Sequence, residues 1–376
     1  MQPSALHLPE ALWVDNNQQL AELCSQWQQE AFVAMDTEFV RTRTFYPRTG
    51  LIQLADSQGC YLIDPLAIDD WSAFKALLQN EAVVKVFHSP AEDLEVCLNL
   101  VGAIPTPMRD SQLAAAMASM GGIMGFQRLV KEVLDIELDK GETRSNWLAR
   151  PLTSEQIDYA VADVHFLYQI YPKLVDKLES MGRADWWHED CQRVTDEYPL
   201  EDDFSQAFRK VKLAWKLRDQ EQCILQHLTI WREHTAREMD VPRNQVLNDQ
   251  ALWNLARYKP YHFDGVKKSG VTHHILKNHY KTLISIIKDA QKLEQDEWPA
   301  AIERPLTPQQ GEIYKKLKKL VTAKAEMIDI PADLLVKKKP LEALLRSYWK
   351  NDLKLPEVLS GWRQTEITND LVQSLD

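Results

Sequence analysis

The sequence predicts an α/β domain, a mixed central sheet flanked by helices, followed by two small all-α domains. Three observations carry that prediction. Short apolar runs alternate with helical patterns through the first half of the chain. An acidic, proline-containing stretch, "DEYPLEDD" (196–203), then breaks the pattern. Beyond it nearly every segment has helical spacing, punctuated by Pro242, Pro260, Pro299, Pro331 and Pro356. The expected organisation is a first domain over 1–195, an acidic linker over 196–206, and helical domains over 207–292 and 300–376.

"AFVAMDTEFV" (31–40) reads as a buried strand, and "GLIQLADSQGCYLIDP" (50–65) breaks at 56–59 into a hairpin. "WSAFKALLQ" sets Trp71, Phe74, Leu77 and Leu78 on one side of a helix. "AVVKVF" (82–87) is a compact strand. In "SPAEDLEVCLNLVG", Ser89 is expected to cap a helix, Pro90 to open it and Gly102 to stop it. Helical patterns continue through "SQLAAAMASM", "FQRLVKEVLD" and the long stretch from Ser154 to Met181. The second half predicts helices over 205–219, 220–238, 244–257, 270–292, 307–320, 322–330 and 341–350. "NQVLNDQALWNLARYKP" (244–260) is echoed by "IPADLLVKKKPLEALLRS" (330–347), each an extended start and a cap before a leucine-rich helix.

The acids of the first domain stand out. Asp36 and Glu38 lie two apart in an apolar strand and therefore share a face. Like charges there repel and resist burial unless something positive faces both. Asp93 sits early in the helix after strand 82–87. Asp163 follows Tyr159 by one helical turn, with Ala160, Val161 and Ala162 marking a helix packed on the core. Four acids from three elements suit a pair of divalent cations, which need several carboxylate oxygens. Hard oxygen donors favour Mg²⁺ or Mn²⁺, and no His/Cys cluster points to structural zinc. The Tyr159 hydroxyl is suited to orienting a water. Plainer readings stand beside these: Asp36 as a strand-edge acid, Asp93 as a first-turn acid, Asp163 capping or paired with Arg150, Tyr159 as packing, and His88 hydrogen-bonded locally.

Five cysteines at 24, 60, 97, 191 and 223 are odd in number and widely spaced, so no disulfide framework is expected and the compartment is a reducing one. The N-terminus has no basic region followed by an apolar stretch, and no run approaches the roughly 20 apolar residues of a membrane span. A cytoplasmic location with no membrane partner is the expectation. The charge is uneven. Residues 1–206 carry 15 Lys and Arg against 33 Asp and Glu, a net of −18, while residues 207–376 carry 29 against 22, a net of +7. The basic half is suited to a polyanion.

"AMDTEFVRTRTFYPRTGLIQLA", "VFHSPAEDLEVCLN" and "YAVADVHFLYQIYPKL" resemble, in this order, the three motifs of the bacterial ribonuclease D family, with "SNWLARPLT" (145–153) between the last two. That family belongs to the four-acid 3′→5′ exonucleases, in the branch with an added tyrosine. The resemblance implies an exonuclease domain of ribonuclease H-like type, with Asp36, Glu38, Asp93 and Asp163 binding two divalent ions and Tyr159 positioning the nucleophilic water. "LRDQEQCILQHLTIWREHTAREMDVPRNQVLNDQALWNLARYKP" resembles the first helicase-and-ribonuclease-D C-terminal (HRDC) domain, and 300–376 a second, divergent one. The implied activity is removal of nucleotides one at a time from RNA 3′ ends as nucleoside 5′-monophosphates, on tRNA precursors, by a monomer.

Lys267, Lys268, Lys277 and Lys281 are candidate phosphate contacts, as are Lys315, Lys316, Lys318 and Lys319 unless they form a solvated helix face. Phe39 is a candidate to stack on a terminal base, with core packing as its alternative, and Gln53 a candidate contact to the terminal nucleotide. Two other functions fit part of the pattern: a DNA 3′→5′ exonuclease, and a non-catalytic nucleic-acid-binding protein. The complete set of four acids and tyrosine weighs against the second.

Overall fold

A computed structural model describes residues 8–138, 145–198 and 203–375. The expected linker falls partly outside these residues. Strands β1 (Ala11–Val14), β2 (Phe32–Val40), β3 (Arg48–Ala55), β4 (Cys60–Ile63), β5 (Val84–Phe87) and β6 (Met108–Asp110) form a mixed sheet in the order β1-β4-β3-β2-β5-β6. β2, β3 and β4 are antiparallel neighbours, and β5, β6 and β1 join in parallel. The 56–59 turn forms as expected, because the Asp56 carboxylate accepts from the Gln58 and Gly59 amides.

Around the sheet lie α1 (Asn17–Trp27), α2 (Ser72–Leu78), α3 (Ala91–Val101), α4 (Ser111–Met117), α5 (Phe126–Leu134), α6 (Ser154–Ser180) and α7 (Ala184–Asp196). Val33, Met35, Ile52 and Leu54 point to one face and pack with Leu20, Trp27, Phe74 and Leu94. The opposite face of β2, β3 and β4 receives α6. At the start of α3 the structure departs from expectation. Ser89 adopts a left-handed φ of 61° and donates its amide to Asp110 at 2.9 Å, so Pro90 takes the cap position.

The helical half comprises α8 (Asp219–Glu238), α9 (Arg243–Val246), α10 (Asp249–Tyr258), α11 (Phe263–Lys268), α12 (His273–Ala290), α13 (Pro308–Met327), α14 (Ala332–Leu335), α15 (Lys338–Trp349) and α16 (Asn369–Gln373). Instead of a helix over 205–219 there are two tight 3₁₀ turns, Ala207–Lys210 and Ala214–Lys216. Phe208, Val211, Ala214 and Leu217 are buried, and a strict spacing of three matches three residues per turn. The two helices expected over 307–330 are one continuous α13. The internal echo is real at the backbone. Asp240 and Asp329 end their helices at φ 48° and 52°, a four-residue helix follows Pro242 and Pro331, and a longer helix follows each.

The compact units differ from the three-part division expected from sequence. One unit takes the chain through Val40, then Arg48–Tyr198 and the chain from Thr307 onward; the other takes Arg41–Pro47 and the helical chain after α7 up to Leu306. Within the first, Arg363 forks onto the buried Asp190 of α7 at 2.6 and 2.7 Å and also donates to the Leu334 and Leu335 carbonyls. Trp362 stacks on Trp186 at 4.5 Å and donates to Asp190. Gly361 at φ 61° has no room for a side chain, because a Cβ there would meet the Glu189 carboxylate. Within the second unit, Phe45 lies in the helical core. The Asp240 carboxylate accepts from the Phe45 and Tyr46 amides, and Arg237 sits 4.4 Å over the Phe45 ring.

Candidate active site

The site lies where β2 outruns its neighbour. Pairing of β2 with β5 stops at Ala34 and Val86, and the next residues of β2 are Met35, Asp36, Thr37 and Glu38. Asp36 and Glu38 share the face on which α6 packs, and α6 brings Asp163. One ligand oxygen from each of Asp36, Glu38 and Asp163 lies within 4.8 Å of the others, the metal-capable acidic cluster among the described residues. Asp93, in the first turn of α3, stands beside that triangle. Its carboxylate accepts a 2.6 Å hydrogen bond from the Thr37 hydroxyl, on the opposite face of β2 from Asp36. Thr37 therefore fixes the fourth acid, a role with no signal in the sequence beyond its place between the two acids.

The electrostatics are those of crowded, buried carboxylates. Burial first, then the charges of Asp93, Asp163 and Glu38, push the Asp36 carboxyl well above its ordinary value. Burial with Asp163 and Asp93 raises Glu38 to about 9. Asp163 rises to about 7 through burial, although the Tyr159 hydroxyl donating to it opposes the rise. Asp93 rises to about 6, again through burial, with the Thr37 hydrogen bond opposing. The strongest charges acting on these acids are other acids. An all-oxygen donor set of this kind fits hard divalent cations, which supply the missing positive charge. Burial and the charges of Asp163, Glu38 and Asp36 also raise the Tyr159 phenol, so it stays protonated and acts as a donor.

Arg150 does not pair with Asp163. It forks onto Asp64 at 2.6 and 2.7 Å and donates to the Gly50 and Trp147 carbonyls. This clamps the 145–151 segment to the strands and sets Trp147 beside Tyr159, with ring centroids 6.1 Å apart. Gly50 makes that approach possible: a Cβ there would sit 2.5 Å from the Trp147 carbonyl oxygen. Glu38 faces Leu51 while Phe39 faces Thr49, so β3 bulges at Gly50, directly beside the acids. Trp147 and Gly50 carry no role legible in the sequence although their motifs are visible, and Arg150, expected as an alternative partner of Asp163, serves Asp64 instead.

The remaining candidates divide. Phe39 is half-buried beside the bulge. Gln53 pairs with Asp36 across the strands but is fully buried, its amide nitrogen and oxygen both without a partner. The Gln53 side chain lies beneath the surface, beside Asp36. Lys267 and Lys268 on α11 and Lys277 and Lys281 on α12 are exposed in the second unit. His88 bonds locally to Ser111 and the Met124 carbonyl. All five cysteines are free and buried, and no helix among the described residues is long and apolar enough to cross a membrane.

Comparison with known proteins places these features in a family. The 3′-5′ exonuclease family matches residues 11–179, the HRDC domain 221–287, and the ribonuclease D C-terminal HRDC domain 308–371. The curated ribonuclease D of Pseudomonas paraeruginosa is 42% identical over 98% of both chains. The crystal structure of Escherichia coli RNase D, described as an exoribonuclease involved in structured RNA processing, superposes with a TM-score of 0.89 at 37% identity, covering 98% of this chain and 99% of that one. The catalytic core of RRP6 from Trypanosoma brucei shares the fold, with a TM-score of 0.56 at 21% identity over 76% of this chain and 81% of that one.

Proposed function

The chain belongs to the ribonuclease D family of 3′→5′ exoribonucleases, and on that footing we propose its substrate and the part each side chain plays. The substrates are tRNA precursors carrying extra 3′ residues, processed by a monomer. The observation that carries the site assignment is the convergence of Asp36, Glu38 and Asp163 within 4.8 Å, with Tyr159 hydrogen-bonded to Asp163.

In each cycle a water oxygen bonds to the phosphorus of the last phosphodiester. The bond from phosphorus to the 3′ oxygen of the penultimate nucleotide breaks, that oxygen takes up a proton, and a nucleoside 5′-monophosphate leaves. Two divalent ions, Mg²⁺ or Mn²⁺, supply neutralising charge and an acidified water when bound. Asp36, Glu38, Asp93 and Asp163 hold them. Tyr159, kept protonated, is held by donating its one hydroxyl proton to Asp163 and orients the water by accepting from it on the phenolic oxygen. Thr37 keeps Asp93 aimed at the cluster. Phe39 packs against the terminal base, and the lysines of α11 and α12 meet phosphates farther along the strand.

The test compares 3′- and 5′-labelled RNA and DNA with Mg²⁺, with Mn²⁺ and with chelator, for the wild type and Asp36→Asn. Stepwise, metal-dependent shortening of RNA from the 3′ end is expected, with release of 5′-monophosphates and turnover by the variant lowered by roughly 10³-fold or more. Full activity in chelator or in the variant removes the metal assignment, and equal shortening of DNA removes the preference for RNA. A tRNA precursor with a 3′ extension, set against an unstructured strand of equal length, tests the substrate, and sedimentation velocity tests the monomer.

A further inference from the structure

Small helical domains normally bury their aromatic side chains, yet the connector between α10 and α11, "YKPYHF" (258–263), displays them. Tyr258 is 69% exposed, Tyr261 75% and Phe263 42%. Tyr261 meets His262 edge to face at 4.7 Å, and Phe263 meets Tyr280 of α12 at 5.1 Å. A run of rings thus leads from the connector onto α12. Its backbone is fixed at both ends. Lys259 closes α10 in a left-handed conformation with its amide bonded to the Leu255 carbonyl, and the His262 imidazole accepts from the Gly265 amide at 3.0 Å to cap α11. Rings held in this way lose little freedom on meeting a ligand.

The surrounding charge selects the ligand. Residues 257–281 contain six Lys and Arg against a single acid, Asp264. Arg257 pairs with Glu221, and Lys259 donates to Gln220. The other four, Lys267, Lys268, Lys277 and Lys281, are exposed. Lys277 and Lys281 stand one turn apart on the helix that carries Tyr280, and Lys267 stands one turn beyond Phe263 on α11. An apolar protein surface or a bilayer would call for aliphatic side chains here. Rings interleaved with lysines suit bases that stack and phosphates that follow them.

We propose that Tyr261, His262, Phe263 and Tyr280 form a stacking strip for unpaired bases of RNA, with Lys267, Lys277 and Lys281 along its backbone. The choice of RNA rests on the exoribonuclease reading above; the strip itself does not. Because stacked rings need splayed bases, the strip takes single-stranded segments and not paired stems.

The test uses the full chain in chelator, where no turnover competes, and follows binding by fluorescence anisotropy from low to moderate salt. The probes are an oligouridylate, an abasic ribose-phosphate strand of equal length and a blunt RNA duplex. Tyr261→Ala is expected to weaken oligouridylate binding roughly 5- to 150-fold, the range of one lost base stack, with the salt slope and abasic binding unchanged. Tyr261→Phe, which keeps the ring, is expected to keep most of the affinity. Lys277→Ala with Lys281→Ala is expected to flatten the salt slope by about 1.4. An unaltered thermal midpoint shows that Tyr261→Ala is folded, and dinucleotide hydrolysis with metal is expected to match the wild type. Equal losses on the abasic strand, no loss on the oligouridylate, or binding of duplex alone overturns the strip. Unchanged RNA affinity with an altered oligomeric state would assign it to a protein contact instead. Failure of the wild type to shorten RNA, with these binding results intact, would remove the exoribonuclease reading and leave the strip standing.

Discussion

Asp36 sits among three other acids that raise one another, so the metal-free protein holds repulsion that a neutral amide relieves. Asp36→Asn is therefore expected to leave the thermal midpoint in chelator equal to or above that of the wild type, while hydrolysis falls by roughly 10³-fold or more. Adding Mg²⁺ is expected to raise the wild-type midpoint and not that of the variant, which scanning calorimetry reads directly. His88 provides the pH counterpart. Burial lowers its imidazole to about 4 from 6.5, and its Nε2–H donates to the Met124 carbonyl while Nδ1 accepts from Ser111. Between those values the unfolded chain takes up a proton that the folded chain refuses, so stability present above pH 6.5 is lost as the pH falls toward 4. His88→Gln is expected to flatten that acid slope by up to one proton, measured as denaturation midpoints against pH.

Helix α6 carries two site groups in its first three turns and is anchored at its N-terminus. Thr153 accepts from the Gln156 amide while the Gln156 side chain accepts from the Thr153 amide, a reciprocal cap. Thr153→Ala is expected to cost about 1 kcal/mol in a denaturant melt. Tyr159 tests how the helix serves the chemistry. If its hydroxyl orients the water and does not hold RNA, Tyr159→Phe lowers kcat by roughly 10²-fold and leaves KM near the wild type. An unchanged kcat would reduce Tyr159 to a packing residue against Trp147.

The Arg363–Asp190 pair joins sequence-distant segments of one compact unit and is almost sealed from water. Breaking such a pair from one side leaves a buried charge uncompensated. Arg363→Ala is expected to destabilise the protein by about 3–5 kcal/mol, and replacing Asp190 as well is expected to recover part of that loss. Denaturant melts of the single and double variants check the coupling. Deleting the helical half from residue 207 would remove this pair along with the aromatic strip, so such a truncation does not isolate RNA binding. Point variants on α11 and α12 do.

The sequence by itself determined the strand-helix alternation, the hairpin turn at Asp56, the helical second half with its internal echo, and four acids with a tyrosine at motif spacing. Those features are local: apolar period, turn chemistry and helical register are written within a few residues. Tertiary structure decided the partners. Arg150 goes to Asp64, Thr37 holds Asp93, and Gln53 is buried beside Asp36 on the neighbouring strand. Phe45 leaves the strand region for the helical core, and the C-terminal helices belong with the sheet through Arg363 and Asp190. None of these follows from local pattern, because each pairs groups far apart in the chain, and burial and charge settle such pairings only once the whole molecule has folded.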